Sequence, residues 1–210
     1  MRIDVFHDIA CPWCRIGKAH LAQALEQWDT TPVEVHYHPF LLNANIPEDG
    51  ANFRDYMLAK GGHRIALEQF FDAPRQMGAQ AGITFNFEAI EHAPNTINAH
   101  RLISFVSESD QPTLIDALYK AYFEDGRNVG SLTVLADIAH DCGHDRDAIL
   151  ARLQSDDNRA EVLQQVTEAQ RLGVTGVPFF VVNSMFAFSG AQPPQTILNV
   201  LKQARGEITT

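Results

Sequence analysis

A mixed α/β fold, with a small sheet interrupted by a large block of helices, is what this sequence predicts. Three observations predict it: alternating β patterns at both ends of the chain, a long middle with apolar residues every three or four positions, and a Cys-x-x-Cys where the first strand gives way to a helix. The bulk properties suit one domain carrying an insertion, since 210 residues, 45% of them hydrophobic and 20% charged, can bury a core.

In "RIDVFHD", Ile3, Val5 and His7 alternate with Asp4 and Phe6, the pattern of a short, partly buried strand. From Pro12 onward, "PWCRIGKAHLAQALEQW" places Trp13, Ile16, His20, Leu21, Ala24, Leu25 and Trp28 near helical spacing. The proline falls in the first turn, where its missing N–H costs nothing. A second strand follows in "PVEVHYHPF", where Val33, Val35 and Tyr37 alternate with Glu34, His36 and His38 until Pro39 and the turn-rich "NANIPEDG" end it.

From about Ala51 to Leu172 the pattern is helical. "NFRDYMLAKGG", "RIALEQFFDAPRQMGAQAG", "NTINAHRLISFVSE", "QPTLIDALYKAYFEDG", "SLTVLADIAHDCG" and "NRAEVLQQVTEAQRLG" carry apolar residues at three- and four-residue spacing, and most end on glycine. Pro74 is expected to kink or break the second of these helices. The strand pattern returns in "GVPFFVVN" and "MFAFSG", joined through Asn183 and Ser184 as a hairpin, and "PPQTILNVLKQARG" closes the chain as a helix with Ile197, Val200 and Leu201 on one face. Beta-alpha-beta at one end and beta-beta-alpha at the other, with helices spliced between, is a thioredoxin-like arrangement. It divides the chain into a discontinuous thioredoxin-like domain, residues 1–46 and 173–210, and an all-helical insertion domain, residues 47–172.

Charge and hydropathy narrow the function. Sixteen Lys and Arg against 26 Asp and Glu give a formal net charge of -10, which argues against general nucleic-acid binding and adhesion to an anionic membrane. No apolar run is long enough to span a bilayer, and Arg2 and Asp4 interrupt the N-terminal apolar residues before a secretory signal could form. A soluble cytoplasmic protein is the expectation. Three cysteines do not make a disulfide framework, so a close pair in a reducing compartment points to catalysis or metal binding rather than a permanent staple.

Thiol–disulfide exchange needs a thiolate that attacks, a second thiol that resolves the mixed disulfide, and geometry that lets the two bond. Cys11 and Cys14 at a helix start meet those needs. The positive end of the helix dipole and free backbone N–H groups favour a thiolate at Cys11, and Cys14, one turn on, is expected to be less exposed. Arg15 and Lys18 read as residues of a solvated face rather than as sources of potential for Cys11. Trp13 has two readings of equal weight, an apolar platform for substrate or a ring packed on the loop. Being neutral, it also implies a less oxidising pair than a histidine there would give. The metal alternative is a zinc half-site needing two more ligands, for which Cys142 and His144 in "DCGHD" are the compact candidates. With no second Cys-x-x-Cys and "CPWC" running straight into a long helix, no metal is assigned, and Cys142 reads as a small buried hydrophobe at a helix end. His36 and His38 share a strand face without an evident third ligand.

"CPWC" after an N-terminal strand, "PNTINAHRL" in the helical insertion, "LGVTGVPFFVVN", and "FSGAQP" before the last helix resemble the DsbA superfamily, and within it the cytoplasmic FrnE-like dithiol–disulfide oxidoreductases. The resemblance runs over essentially the whole chain. It implies a thioredoxin fold with a helical insertion, Cys11 as nucleophile, Cys14 as resolving thiol, Pro178 as a cis-proline facing them, and the Val177 backbone pairing with an extended substrate. Pro12 and Trp13 join Val177 as implied substrate contacts. A cis X-Pro bond at a strand start suits that role, because it turns the preceding backbone outward. For "PNTINAHRL" the plainer account is capping by Asn95 and packing through Ile97, Leu102 and Ile103; the other is a role for Asn98, His100 or Arg101 at the domain junction.

The same resemblance carries a second reading. Class kappa glutathione transferases and 2-hydroxychromene-2-carboxylate isomerases look like this architecture but commonly have serine where Cys11 stands. Ser189, Gly190 and Gln192 would then meet the γ-glutamyl carboxylate of glutathione beside a helix N-terminus. Two cysteines here count against it. A third reading is a holdase-like chaperone using aromatic surface around Trp13. The expected partners are protein or small-molecule thiols and disulfides, with no bound cofactor, glutathione as a candidate redox partner or cosubstrate, and a homodimer left open. A DsbA-like pair near about -120 mV would rest reduced against a cytosolic glutathione poise of roughly -220 to -320 mV, which favours reductase or isomerase work.

Overall fold

In a computed structural model that describes residues 1–61 and 67–206, strand β1 (Arg2–His7) lies inside a four-stranded sheet. Its neighbours are β2 (Glu34–Pro39), which runs parallel with Val5 opposite Tyr37, and β5 (Phe179–Val182), which runs antiparallel with Val5 opposite Phe180. Strand β6 (Phe186–Ser189) completes the order β2-β1-β5-β6. The parallel pair is joined by helix α1 (Pro12–Glu26), the antiparallel pair by a turn in which Asn183 and Ser184 both take positive φ, 50° and 56°. That conformation matches the right-handed twist of the flanking strands, and the Asn183 side chain ties it to β1 by accepting the Arg2 N–H at 3.0 Å.

Both faces of the sheet are covered. Leu21 and Ala24 of α1 pack with Ile197 and Leu201 of α9 (Pro194–Ala204) onto Ile3, Val5, Phe180 and Val182. On the opposite face Phe6 and Phe40 meet Ala169, near the end of α8 (Arg159–Arg171), and Val174 just beyond it. Strand β1 is therefore buried from Ile3 through His7, and Asp4, which the alternation places on an open face, is covered as well. It is held by Arg2 and by His38 Nε2 at 2.7 Å.

The intervening helices are α2 (Phe53–Gly61), α3 (Leu67–Gln80), α4 (Ile97–Phe105), α5 (Gln111–Phe123), α6 (Leu132–Asp141) and α7 (Arg146–Gln154). The predicted helical positions at Gly62 and Arg64–Ala66 lie outside the described residues. Pro74 does not break α3, which continues through it to Gln80. Two-residue strands β3 (Ala51–Asn52) and β4 (His92–Ala93) pair across the insertion, a contact too short for alternation to reveal. Phe71, Phe85, Phe87, Tyr119 and Phe123 build an aromatic core in this half, and Ile9, Cys11, Cys14 and Ile16 belong to that same core. Helix α1 thus has two apolar faces, an N-terminal one buried among the helices and a later one buried on the sheet. Among the described residues no helix is long and apolar enough to cross a membrane.

Arg15 and Lys18 are not solvated-face residues. Arg15 donates to Asp116 at 2.8 Å and Glu124 at 3.0 Å, and Lys18 is buried with its ammonium 2.5 Å from Asp116, so both bind α1 to α5. Burial lowers the Lys18 pKa while Asp116 opposes the shift.

"PNTINAHRL" mixes its two readings. The N-cap of α4 is Thr96 and not Asn95; Asn95, one residue earlier, accepts the Ile97 N–H at 3.1 Å and donates to Ile46 O at 2.8 Å, while Arg101 is 2% exposed. Its guanidinium donates to Asn98 Oδ1 and to the carbonyls of Arg152, Leu153, Ser155 and Asp157, gathering the end of α7. Arg101→Met strands those carbonyls in the interior and is expected to lower stability by at least about 3 kcal/mol, with Arg101→Lys recovering little of it because an ammonium lacks the planar fork. Denaturant unfolding of the two variants measures both.

Candidate functional site

Cys11 is the N-cap of α1, with φ -103° and ψ 112°, and Pro12 fills the first helical position. The Cys11 N–H donates to Asp8 O at 3.1 Å, and Cys11 O accepts from the N–H groups of Cys14 and Arg15 at 3.0 and 3.3 Å. Both thiols are free and each residue is 2% exposed, but they differ in surroundings. Cys11 forms part of the wall of a cavity of about 380 Å³, whereas Cys14 lies one turn deeper, outside that wall. Burial pushes the Cys14 thiol well above its ordinary value, and the hydrogen bond with Cys11 adds to the rise.

Across from Cys11 the Val177–Pro178 peptide bond is cis. The Cys11 thiol lies 3.6 Å from Val177 O, to which it donates. This approach depends on Gly17: a Cβ there would lie 2.9 Å from Pro178 Cγ and 3.3 Å from Phe180 Cζ. The sequence reading passed over Gly17, since a glycine inside a helix carries no local signal of what presses on it.

Beneath the cysteines lies a polar knot that the sequence reading also missed. Asp8, 1% exposed, accepts the Ala10 N–H at 3.1 Å and the Leu42 N–H at 2.6 Å, so one carboxylate fixes both the cysteine loop and the turn after β2. His100 of α4 places Nε2 3.7 Å from Asp8 Oδ1, beyond hydrogen-bond distance, and among the described residues that buried nitrogen has no hydrogen-bond partner. His7 Nδ1 pairs with the Tyr119 hydroxyl at 3.0 Å, and the His7 and His100 rings meet edge-on at 5.4 Å. An acidic residue between a strand and a helix, as in "HDIAC", is the signal that could have found Asp8. Nothing in the sequence could have joined it to α4 and α5.

The cavity brings together Cys11, Pro12, Trp13 and Val177 with aromatic side chains of the insertion. Ser189 and Gln192 are not part of its lining: Ser189 stands opposite Phe179 in the sheet, and the Gln192 carbonyl accepts from His20 Nδ1 at 2.9 Å while its side-chain amide donates to Ser189 O. Between them, the Gly190 N–H donates to Pro178 O at 2.8 Å, so this segment braces the cis turn. Cys142 ends α6, half-buried against the helical core, and burial raises its pKa. Among the described residues no group of three or more His, Cys, Asp or Glu side chains is placed to hold a metal ion.

The model of the DSBA-like thioredoxin domain matches residues 2–202. The chain belongs to that family. A probable DsbA oxidoreductase from Streptomyces coelicolor superposes with TM-score 0.88 at 33% identity, covering 100% of this chain and 92% of that one. More distant structures share the fold. A 2-hydroxychromene-2-carboxylate isomerase gives TM-score 0.68 at 16% identity over 98% of this chain and 95% of its own. The cytosolic disulfide reductase DsbM from Pseudomonas aeruginosa, in a structure with glutathione, gives 0.66 at 15% over 98% and 100%.

Two consequences of this geometry are measurable. Gly17→Ala overpacks the contact with Pro178 and is expected to cost about 1–3 kcal/mol, read from denaturant unfolding. Burial, then the charges of His100, Lys18 and His38, hold His7 well below the ordinary 6.5. The unfolded chain binds a proton below about pH 6.5 that the folded chain refuses, so this contribution is full above that pH and is lost as pH falls, by up to about 1.4 kcal/mol per unit. Unfolding midpoints between pH 7.5 and 5.5 are expected to fall in the native sequence and to fall less in His7→Asn.

Proposed function

We propose that this protein is a thiol–disulfide oxidoreductase or isomerase in which Cys11 forms a mixed disulfide with substrate and Cys14 resolves it. The observation that carries this reading is the asymmetry of the pair: Cys11 is in the cavity wall and in contact with the Val177 carbonyl, while Cys14 is one helical turn deeper with a raised pKa. An attacker that opens on a cavity and a resolver set behind it are what exchange through a mixed disulfide requires. Membership of the DSBA-like family and the likeness to the Streptomyces protein support the same class.

The Cys11 thiolate attacks one sulfur of a disulfide; the new S–S bond forms at Cys11, and the other sulfur leaves as a thiolate. Cys14, having given its proton to solvent, attacks Cys11 and releases the second thiolate, so the substrate gains two electrons and the pair becomes a disulfide. Run backwards, the same steps oxidise a dithiol. The Val177 backbone and Trp13 are assigned to hold the substrate, and a reducing cytosol, like that of DsbM, is the compartment in which the reductive direction operates.

A glutathione-dependent isomerase remains the second reading because the isomerase shares this fold. In that chemistry neither cysteine needs to pair with the other. Equilibration of the protein across a series of reduced-to-oxidised glutathione ratios, with alkylation and mass mapping of Cys11, Cys14 and Cys142, separates the two. The expected result is a reversible Cys11–Cys14 disulfide with a definite midpoint, its loss in Cys11→Ser, and a glutathione adduct trapped on Cys11 in Cys14→Ser. Thiols that never pair would overturn the oxidoreductase reading. Suppression of aggregation that survives the double serine substitution would favour a holdase.

A further inference from the structure

We infer that the substrate carries an aromatic ring and a negative charge: the cavity beside Cys11 is a site for a small aromatic disulfide rather than for a cysteine on a folded protein. The inference rests on the thiol–disulfide reading of Cys11 and Cys14 and adds the class of molecule that delivers the sulfur.

Access is the first reason. Cys11 is 2% exposed yet belongs to the cavity wall, so the sulfur it meets has to enter through the cavity. A volume of about 380 Å³ lies at the lower end of small-molecule sites, about 300–1,000 Å³, and admits a slender ring-sized group more readily than a folded chain.

The lining is the second reason. Phe53, Phe71 and Phe87 form a stacked run, with ring centroids 5.8 and 4.1 Å apart and planes within 16° of parallel, and Phe70 meets Phe71 edge-on at 5.3 Å. All four rings border the cavity, and Phe70 stays 41% exposed. Flat rings select a flat partner, because offset and edge-on ring contacts contribute beyond the area they bury.

Charge is the third. Among the described residues of the lining, Lys60 is the one charged side chain, in a chain of net charge -10. Its ammonium donates to Asn43 Oδ1 at 3.0 Å and Tyr56 OH at 3.4 Å, which leaves its third N–H for an anion. Among the described residues of the lining no carboxylate competes with it.

In the step inferred, Cys11 attacks an aryl disulfide, an aryl thiolate leaves with the electron pair of the broken S–S bond, and Cys14 releases the second aryl thiolate by closing the Cys11–Cys14 disulfide. One turnover of the reduced protein balances without a further reductant.

The test mixes fully reduced protein with dithiobis(nitrobenzoate), neutral dithiodipyridine and glutathione disulfide. Each rate is divided by that of N-acetylcysteine with the same reagent, to remove intrinsic reactivity. Normalised rates for the two aromatic disulfides are expected to exceed that for glutathione disulfide by about tenfold or more. Phe70→Ala is expected to lower the aromatic-to-glutathione ratio severalfold. Lys60→Gln is expected to lower the ratio of nitrobenzoate to pyridine reagent severalfold; both side chains are exposed, so the fold tolerates the changes. Equal normalised rates for all three disulfides, or ratios unmoved in both variants, would overturn this inference and leave the oxidoreductase reading standing. Failure of all three to produce the Cys11–Cys14 disulfide would overturn both.

Discussion

The contact between Gly17 and the ring of Pro178 is the constraint on which the rest of the site depends. Helix α1 has to come that close to the turn before β5 for the Cys11 thiol to reach the Val177 carbonyl, and only a residue without a side chain allows it. The other side of the same helix is gripped by α5 through Arg15, Lys18, Asp116 and Glu124. Pinned between the sheet and the insertion, the N-terminus of α1 has little freedom to move its cysteines relative to either.

That arrangement explains why the cysteine loop is buried with the helices rather than with the sheet. Ile9, Cys11, Cys14 and Ile16 share a core with the insertion's aromatic residues, while Leu21 and Ala24, one to two turns on, share a core with β1 and β5. The insertion is therefore part of the site and not an appendage: it supplies most of the cavity wall, His100 and Tyr119 beneath the cysteines, and the carboxylates that hold α1. Polar groups placed there are costly unless satisfied, and Asp8 is satisfied by two backbone N–H groups from separate segments of the chain. Among the described residues His100 Nε2 finds no hydrogen-bond partner, a local cost carried at the centre of the site.

Short-range signals were legible. The alternation in "RIDVFHD" and "PVEVHYHPF", the helical spacing from Pro12, and the hairpin at Asn183 and Ser184 all depend on residues within a few positions of one another, where backbone sterics and local hydrogen bonds act. The settings of Arg15, Lys18 and Arg101 are not legible in the sequence for a single reason. Charged side chains read as exposed until a partner far along the chain is known, and their partners, Asn98 apart, stand 51 to 109 positions away. Pro74 shows the converse, a local breaking tendency that tertiary packing overrides.

By itself the sequence determined the α/β class, the discontinuous β patterns with helices between them, and a cysteine pair at a helix start, because each is written in residue spacing and backbone preference. Only the tertiary structure decided which side of α1 faces which core, that Asp8 and His100 lie under the cysteines, that Ser189 and Gln192 stand outside the cavity, and that aromatic rings with one lysine surround Cys11. Those outcomes depend on segments distant in the chain packing to a common density. No local pattern encodes which distant residue will fill a given gap.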